Sequence, residues 1–331
     1  MQVPDYQLPE DAIAQTPIEP RDAARLLVSV AEGTASAHRR VRDLPELLEP
    51  GDVVVLNNSR VLPARLRLHK ESGGAAEVLL LEPDLASSTW NALVRPGRRL
   101  PPGTVLYAAG RPALEVGERL DAGQRRVRIL SERPEELLGA LGTIPLPPYI
   151  RAPLADPERY QTVYARHPGS VAAPTAGLHL TDEVLAACRA REIVVKEVDL
   201  AVGLGTFRPV TSAQAEDHVM HAERYRVPAD TMKACRDARR VVAVGTTTVR
   251  ALESAAASGE LEGRSHLFIH GQYPFQVVDV LMTNFHQPRS TLLLLLEAFC
   301  GPRWRVLYGE ALAAGYRFLS FGDAMLVGRG R

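Results

Sequence analysis

The stretch RRVVAVGTTTVRALES, residues 239–254, decides the fold. Its apolar first half predicts a buried strand that stops at Gly245. The threonines that follow form a turn leading into a predicted helix, which carries Arg250 in its first turn. A strand that passes through a short loop into a helix is the repeating unit of an α/β layer, so we expect this class for the chain.

The same unit recurs on both sides of that stretch. Upstream, Thr181 is placed to cap a helix whose first turn carries Asp182 and Glu183. The other predicted elements are a strand at 53–56, a strand at 193–202, a strand at 275–285 that runs into a helix at 290–299, a helix at 303–314 and a strand at 324–327.

A different pattern occupies the region between residues 65 and 128. Short apolar segments, EVLLL, WNALV, TVLYA, ALEV and RRVRIL, are separated there by turns rich in Gly, Pro or Asp. This spacing predicts a small antiparallel sheet or barrel, and a helix at 134–141 with the proline-rich TIPLPPYI leads out of it. We predict a large α/β domain from residues 1–64 and 150–331 and an inserted small, barrel-like antiparallel β domain at 65–149.

Composition limits the possible partners. The chain has 331 residues, 46% of them apolar, which suits two domains, and its formal net charge is zero. No overall field therefore attracts polyanions, so nucleic acid contacts require local patches. Three arginine clusters are candidates for phosphate contact or are simply solvated, and both interpretations stay open: Arg39, Arg40 and Arg42; Arg98 and Arg99; Arg125, Arg126 and Arg128.

The cysteines and the apolar runs predict the compartment. Cys188, Cys235 and Cys300 lie far apart, which argues against a disulfide framework or a thiolate zinc site and favours a reducing compartment. The N-terminal residues carry acids and prolines rather than a secretion signal, and the leucine run at 292–296 is too short to span a bilayer. We expect a cytoplasmic protein without membrane contact, and a monomer.

Ligands in open α/β sheets collect at the carboxyl ends of strands, and this rule selects the loop at Gly245. Thr246 and Thr247 lie there, and Arg250 opposes the helix dipole unless an anion separates them. Alternatively, Glu253 pairs with Arg250 on the helix surface. Both interpretations stay open.

Two further loops carry polar residues suited to a site. One contains Asn284, His286, Arg289 and Ser290, where the arginine again suggests an anion pocket and the serine can cap the next helix. The other is GSVAAPTAGLH at 169–179, whose small residues allow close approach of a ligand. It supplies the candidates Pro174, Thr175, Gly177 and His179.

Other candidates come from short motifs. His218, His221 and Glu223 lack further evident ligands, so an acid/base role for His221 with Glu223 is preferred to a metal site. Gly203, Gly205 and Thr206 form a tight turn after a strand, which is weak evidence for nucleotide binding. Asp323 either anchors a histidine or a hydroxyl, or caps local amides in a turn.

Seven segments, taken in order, resemble one family. They are LNNSRVLPARL at 56–66, GSVAAPTAGLHLT at 169–181, VGLGTFRPV at 202–210, EDHVMHAE at 216–223, VAVGTTTVRALES at 242–254, TNFHQPRSTLL at 283–293 and YRFLSFGDAML at 316–326. Together they closely resemble the S-adenosylmethionine:tRNA ribosyltransferase-isomerases of the queuosine pathway. The N-terminal DYQLPEDAIAQ is similar too, so the resemblance spans nearly the whole chain.

The resemblance implies a large α/β domain with a barrel-like sheet and an inserted small β domain. It implies transfer of the ribosyl part of S-adenosylmethionine to 7-aminomethyl-7-deazaguanine in tRNA, with the donor consumed and no metal or other cofactor. His179, His221 or His286 is then the base, with Glu223 beside them, while Thr246 and Thr247 hold the nucleotide and Arg250 or Arg289 grips an anion. Asn58 and Arg60, which lie in the first of the seven segments, are also implied to bind the substrate.

Some positions depart from the family pattern, notably Leu180, Ala201, His270 and Glu297. If the histidine that Ala201 replaces helps to bind the acceptor, the acceptor differs. Two alternatives therefore stay open, namely the same donor chemistry on a free deazapurine or another small acceptor, and a catalytically silent tRNA-binding relative.

Overall fold

A computed structural model describes residues 2–31, 33–84, 87, 89–203, 214–217, 220 and 222–330. Its strands are β1 Arg25–Ser29, β2 Ala37–Arg40, β3 Asp52–Asn57, β4 Ser59–Val61, β5 Arg65–Lys70, β6 Ala75–Asp84, β7 Thr89–Arg95, β8 Thr104–Ala108, β9 Arg111–Arg119, β10 Arg125–Ile129, β11 Gly142–Thr143, β12 His167–Ser170, β13 Val194–Leu200, β14 Glu223–Arg226, β15 Arg240–Val244, β16 Glu262–Ser265, β17 Val280–Asn284 and β18 Ala324–Gly328. Its helices are α1 Leu44–Leu47, α2 Pro134–Leu141, α3 Asp182–Ala190, α4 Ala229–Asp237, α5 Thr246–Ser258, α6 Thr291–Cys300 and α7 Arg303–Ala313.

The chain forms two compact units. The large unit consists of Met1–Arg60, Pro147–His167 and Ala173–Arg331, and the small unit of Val61–Leu146 with Pro168–Ala172. The small unit thus lies within the sequence of the large one, starts four residues before the predicted 65, and also includes a short returning segment that the sequence did not indicate.

The large unit is built on a nine-stranded mixed sheet with the order β16-β14-β13-β3-β15-β17-β18-β1-β2. Its centre is parallel, since β13 pairs with β3, β3 with β15 and β15 with β17 in that sense. β18 then runs antiparallel to β17. Parallel strands buried on both faces require continuous apolar runs, which explains the unbroken apolar stretches VVVL in β3 and VVAV in β15.

One face of this sheet packs a hydrophobic core. Alternate residues of neighbouring strands meet in it, for example Val54 with Leu56 and Val242 with Val244, as the two-residue period of a strand requires. Helix α3 covers them with Leu185, and its start is fixed by Thr181, whose hydroxyl accepts from Val184 N at 3.3 Å. Burial of each such side chain contributes about 1.5–3 kcal/mol to the free energy of unfolding.

The small unit contains a seven-stranded antiparallel sheet with the order β11-β5-β6-β7-β10-β9-β8. Because β5 also pairs with β8, the six strands β5 to β10 close into a barrel. Its interior is apolar, with Leu66, Val78, Leu106 and Val127 fully buried. The predicted fold class, an α/β domain with an inserted antiparallel barrel-like domain, is confirmed.

One predicted strand is shorter than expected. The apolar run at 275–285 forms β17 only from Val280 to Asn284. The backbone N–H groups of Gln276, Val277 and Val278 donate instead to the buried carboxylate of Glu253. A side chain from α5 thus takes the donors that a strand would give to its neighbour.

Candidate functional site

The candidate site lies where four parallel strands end. Because β13, β3, β15 and β17 run in the same direction, their last residues, Leu200, Asn57, Val244 and Asn284, share one edge of the sheet. β18 is antiparallel, so its first residue, Ala324, is paired with Asn284. The predicted loops that follow β15 and β17 therefore start at this edge.

Asn57 holds two of these strand ends together. Its Nδ2 donates to Leu200 O at 3.1 Å and lies 3.2 Å from the hydroxyl of Thr247, while its Oδ1 accepts from Leu200 N at 3.0 Å. The sequence analysis selected its neighbours instead. Asn58 donates to Glu197 at 2.8 Å, and Arg60 forms an ion pair with Glu158 at 2.6 Å whose two side chains are largely exposed.

The loop at Gly245 has the predicted strand-to-helix geometry. Gly245 adopts φ 90°, a conformation that favours glycine, and its N–H donates to Met282 O at 2.8 Å. The helix α5 starts immediately afterwards with Thr246. Thr246 and Thr247 line a cavity, which we call the threonine cavity, together with Arg250 and with Leu292 of α6.

Arg250 is paired, and its partner is not the residue nearest in sequence. Its Nη1 donates to Glu223, and its Nε donates to Leu267 O at 3.2 Å, whereas Glu253 is occupied by the backbone amides near β17. Glu223 also accepts from Gly203 N at 2.8 Å through its other oxygen. Arg250 and Glu223 are each about 4% exposed, so this is a buried ion pair.

This arrangement changes the predicted role of Glu223, because both of its oxygens hold protein groups rather than facing a substrate as an acid or base. Arg250 keeps its place in the cavity, and among the described residues its Nη2 has no hydrogen-bond partner. His221, Gly205 and Thr206, which were also predicted, lie outside the described residues, as does His218.

A second cavity, of about 50 Å³, lies at the end of β17. We call it the histidine cavity, and the residues that matter here are Thr175, Asn284, His286, Ser290, Leu292 and Ser320. Leu292 also lines the threonine cavity, so the two cavities share a wall. The structure therefore brings residues from the 169–179 and 284–290 loops to one place.

His286 is buried, and its surroundings keep it neutral. Desolvation lowers the pKa of His286 to about 3. Its Nε2 lies 2.9 Å from the Thr283 hydroxyl, and its backbone is held on both sides, since its N–H donates to Tyr308 and its carbonyl accepts from Tyr6. The ring is thus fixed against the cavity in its uncharged form.

His179 is also buried and is held by Asn284. Asn284 Nδ2 donates to His179 Nε2 at 3.0 Å and to Leu319 O at 3.2 Å, while its Oδ1 accepts from the Thr175 hydroxyl at 2.9 Å. A carbonyl oxygen can only accept, so the Leu319 contact fixes which end of the amide is the nitrogen. Burial, outweighing the opposing effect of Asp323, lowers the pKa of His179 to about 4.

Other predicted residues have structural partners. Ser290 caps α6, because its hydroxyl accepts from Leu293 N at 3.2 Å and donates to Gln287 O at 2.8 Å. Arg289 is 45% exposed in its side chain and faces Asp5 at 3.8 Å, so it is not brought to the cavity that contains Ser290. Pro174 precedes the short helical turn Thr175–His179, where Gly177 N donates to Pro174 O at 2.9 Å.

Asp323 is buried and satisfied by protein groups. Its carboxylate accepts from the backbone N–H of Arg25 at 2.9 Å and of Arg317 at 2.8 Å, and forms an ion pair with the Arg25 guanidinium at 3.0 Å. It therefore fixes the approach to β18 instead of holding a ligand hydroxyl. Of the two interpretations left open by the sequence, the structure therefore shows the capping of backbone amides, by a carboxylate that is 1% exposed.

The structure also identifies residues that the sequence analysis did not select. Tyr149 lines the histidine cavity and shares a 2.7 Å hydrogen bond with Ser320. Arg21 and Arg159 line a third pocket with His179 and Ser320, which we call the arginine pocket. The segment ERYQTVY at 158–164, with buried polar residues between two tyrosines, was the available signal for Arg159. We find no comparable signal for Arg21.

The predicted arginine clusters behave differently from one another. Arg125 is buried and donates to the carbonyls of Leu100 and Gly117 inside the barrel unit, so it is not a phosphate contact. Arg126 pairs with Asp84, and Arg128 with Glu115. Arg98 and Arg99, by contrast, lie exposed in a short turn, and Arg39 and Arg40 are exposed on β2.

Further features concern metals, thiols and membranes. Among the described residues, no group of three or more His, Cys, Asp or Glu side chains is arranged to hold a metal ion. All three cysteines are free and buried, and burial raises the pKa of each thiol to about 11. Within the part of the chain that the structure describes, no helix has the length and apolar character needed to cross a bilayer.

Comparison with known proteins identifies the family. The queuosine biosynthesis protein family matches residues 2–327. S-adenosylmethionine:tRNA ribosyltransferase-isomerases are 50% identical in Rubrobacter xylanophilus, covering 99% of this chain and 97% of that protein, and 51% identical in Thermus thermophilus, covering 98% of both. A crystal structure of an S-adenosylmethionine tRNA ribosyltransferase from Thermotoga maritima has a TM-score of 0.55 at 37% identity, covering 98% of this chain and 99% of that one. The chain therefore belongs to the queuosine biosynthesis family and is an enzyme of the ribosyltransferase-isomerase type.

Proposed function

We propose that the protein transfers and isomerises the ribosyl moiety of S-adenosylmethionine to 7-aminomethyl-7-deazaguanine in tRNA, forming epoxyqueuosine and releasing adenine and methionine. Relatives with about half of their residues identical over nearly the whole chain carry a name that states this type of reaction. The observation that carries the proposal beyond the name is that residues of the 169–179 and 284–290 loops line one cavity at the sheet edge, with two buried, neutral histidines beside it.

The donor supplies much of the reactivity. Its sulfonium acidifies the adjacent 5′ carbon, so a base of the protein can start the reaction by removing a proton there. Adenine leaves as the sugar ring opens, and the aminomethyl nitrogen of the acceptor attacks as the nucleophile. The donor is consumed as a cosubstrate, and the proposal includes no metal or other cofactor.

We assign the first proton transfer to His286, with His221 as the remaining candidate. His286 lines the histidine cavity and is held in its neutral form by burial. His179 receives a positioning role, because its Nε2 lone pair already accepts from Asn284. Thr246, Thr247 and Arg250 hold the nucleotide in the threonine cavity, where Arg250 Nη2 offers a buried donor.

We assign the tRNA contact to the exposed arginines Arg98, Arg99, Arg39 and Arg40. Neutralising Arg98 and Arg99 together should weaken tRNA binding and reduce its salt dependence by about one phosphate contact for each charge removed. The cytoplasmic location and the monomeric state stay predictions.

The direct test is incubation of the protein with S-adenosylmethionine and a tRNA carrying the aminomethyl-deazaguanine. Release of adenine together with the expected mass increase of the tRNA nucleoside would support the proposal. Free 7-aminomethyl-7-deazaguanine is offered in a separate reaction, and its consumption with no change to tRNA would point to a small-molecule acceptor. His286→Ala should reduce adenine release by about 100-fold or more, whereas His167→Ala, at an exposed histidine, should leave it unchanged.

A further inference from the structure

The arginine pocket brings two guanidinium groups beside His179. Arg21, Arg159, His179 and Ser320 line it. Ser320 also lines the histidine cavity, so the pocket adjoins the place to which we assign the chemistry. Its polar lining consists of hydrogen-bond donors suited to an oxyanion.

Arg21 is fixed in place by neutral groups. Its Nη1 donates to Gln161 O at 2.7 Å and to Leu178 O at 3.3 Å, and its Nη2 donates to Glu158 O at 3.0 Å. Backbone carbonyls orient a guanidinium without cancelling its charge. The positive charge of Arg21 is therefore held rigidly at the pocket.

Arg159 contributes a second guanidinium group to the pocket. Its Nη2 donates to Ile18 O at 2.8 Å, and its Nε faces Glu19. The Glu19 side chain is 67% exposed, so water screens its effect on Arg159. Arg159 Nη1 is buried and has no hydrogen-bond partner among the described residues. A buried donor of a charged group without an acceptor destabilises the fold, unless a ligand accepts the hydrogen bond.

The local field is positive around His179. The charges of Arg317, Arg159 and Arg21 all act with burial to lower the pKa of His179, and only Asp323 acts against them. The Asp323 carboxylate is already paired with Arg25, and the acids that act on Arg21, namely Glu19, Asp156 and Glu158, are exposed to water, so the two guanidinium groups dominate the charge at the pocket. An anion is the complementary ligand.

We propose that Arg21 and Arg159 form a subsite for the carboxylate of the methionine part of S-adenosylmethionine. This inference rests on the proposed function, because it deepens the description of the same site. The pocket measures about 10 Å³, the room of one water-sized group, which suits a carboxylate oxygen. Anchoring the carboxylate here places the sulfonium towards Ser320 and the histidine cavity.

The test compares two donors in two proteins. S-adenosylmethionine and its decarboxylated analogue are used with acceptor tRNA, and kcat/KM for adenine release is measured for the wild type and Arg159→Gln. In the wild type the analogue should be poorer by about 100-fold. Arg159→Gln should lower kcat/KM by about 100-fold with S-adenosylmethionine. With the analogue it should lower kcat/KM by less than about threefold, because the analogue already lacks the carboxylate that Arg159 binds.

Arg236→Gln provides the matched control, since Arg236 is exposed on α4 and the substitution removes the same charge. It should leave both donors unchanged. Thermal unfolding of each variant checks the fold, and the wild-type comparison of the two donors needs no variant at all.

Two results would overturn the subsite while leaving the proposed function intact. One is a wild-type preference of less than about threefold for the carboxylated donor. The other is an equal loss with both donors in Arg159→Gln accompanied by a higher KM for tRNA, which would assign the pocket to a tRNA phosphate. Absence of adenine release from either donor in the wild type would overturn the proposed function, and the subsite with it.

Discussion

Asn284 donates to His179 Nε2 at 3.0 Å, and this one contact determines the tautomer of the histidine. Because Nε2 accepts, the ring proton resides on Nδ1. The same amide accepts from Thr175, so a residue at the end of β17 orders the 169–179 loop. A histidine that sequence motifs present as a candidate base is thereby tied to a positioning function.

Replacing this amide by a carboxylate should reverse the charge preference of His179. In Asn284→Asp, a carboxylate faces both the imidazole and Leu319 O, so the protonated ring is favoured and the pKa of His179 should rise well above its present value of about 4. We expect a loss of about 2–4 kcal/mol in the free energy of unfolding. NMR titration of the His179 ring measures the pKa directly.

Asn91→Asp is the control, since it introduces the same change in the other unit of the chain. It should not shift the His179 titration. An unchanged His179 pKa in Asn284→Asp would show that the hydrogen bond to Asn284 does not govern the ring.

The two buried histidines should make the fold sensitive to mild acid. Their pKa values are lowered by burial from 6.5 to about 4 for His179 and about 3 for His286. In the unfolded chain both ionise near pH 6.5, so below that pH the unfolded state binds more protons and stability falls. The contribution is complete above about pH 6.5, and each histidine should cost about 2 kcal/mol between pH 7.5 and pH 5.

Urea unfolding at pH 7.5, 6 and 5 measures this loss. His286→Gln, which removes one titrating group, should show a shallower decline with pH than the wild type, even if it is less stable at every pH. His167→Gln removes an exposed histidine and should keep the wild-type slope. Identical slopes in all three proteins would contradict a buried neutral His286.

The sequence predicts those parts of the fold and site that local chemistry determines. Gly245 ends a strand and begins a helix because its positive φ is needed there, and Thr181 and Ser290 cap helices that begin one residue later. The spacing of short apolar segments between turns rich in Gly, Pro or Asp likewise indicates the barrel strands. These features depend on neighbours in sequence, so they can be read without the structure.

Contacts between residues that are far apart in sequence could not be predicted from these local patterns. Glu253, three residues after Arg250, was the expected partner, but Glu223, 27 residues before it in the chain, forms the ion pair. Arg21 is oriented by carbonyl oxygens far along the chain, and backbone carbonyls carry no residue-specific signal. Sequence therefore indicated loops whose residues line common cavities, while leaving the charge pairing undetermined.

The buried pair of Arg250 and Glu223 should show strong coupling. Glu223→Gln leaves a buried guanidinium without a countercharge and should lower the free energy of unfolding by about 3–5 kcal/mol, with a similar cost for Arg250→Gln. The double variant should be less damaging than the sum, with a coupling energy of at least about 2 kcal/mol. Urea unfolding of the four proteins gives that energy.

A parallel cycle on Lys233 and Asp237 serves as comparison, because these residues form an exposed pair on α4. Their coupling should stay below about 0.5 kcal/mol. If the cycle at Arg250 gave an equally small coupling, the pair would not be the buried unit described above.

Gly177 should tolerate no side chain, because a Cβ there would lie 1.9 Å from the hydroxyl oxygen of Tyr164. We expect Gly177→Ala to cost more than about 2 kcal/mol in unfolding free energy through this overlap. The Tyr164 hydroxyl is buried and has no hydrogen-bond partner among the described residues, so Tyr164→Phe alone should be neutral or stabilising.

The double variant Gly177→Ala with Tyr164→Phe separates this overlap from other causes. Removing the hydroxyl opens the space that the new methyl group needs, so the double variant should recover more than half of the lost stability. Gly139→Ala is the matched control, since a Cβ at this position of α2 meets nothing within 4 Å, and it should stabilise by about 0.5–1 kcal/mol. Thermal and urea unfolding measure all four variants. A double variant as unstable as Gly177→Ala would mean that the hydroxyl is not the cause, and that the contacts at 3.0 Å with Thr162 Cγ2 and Tyr164 Cζ require glycine in the loop that carries His179.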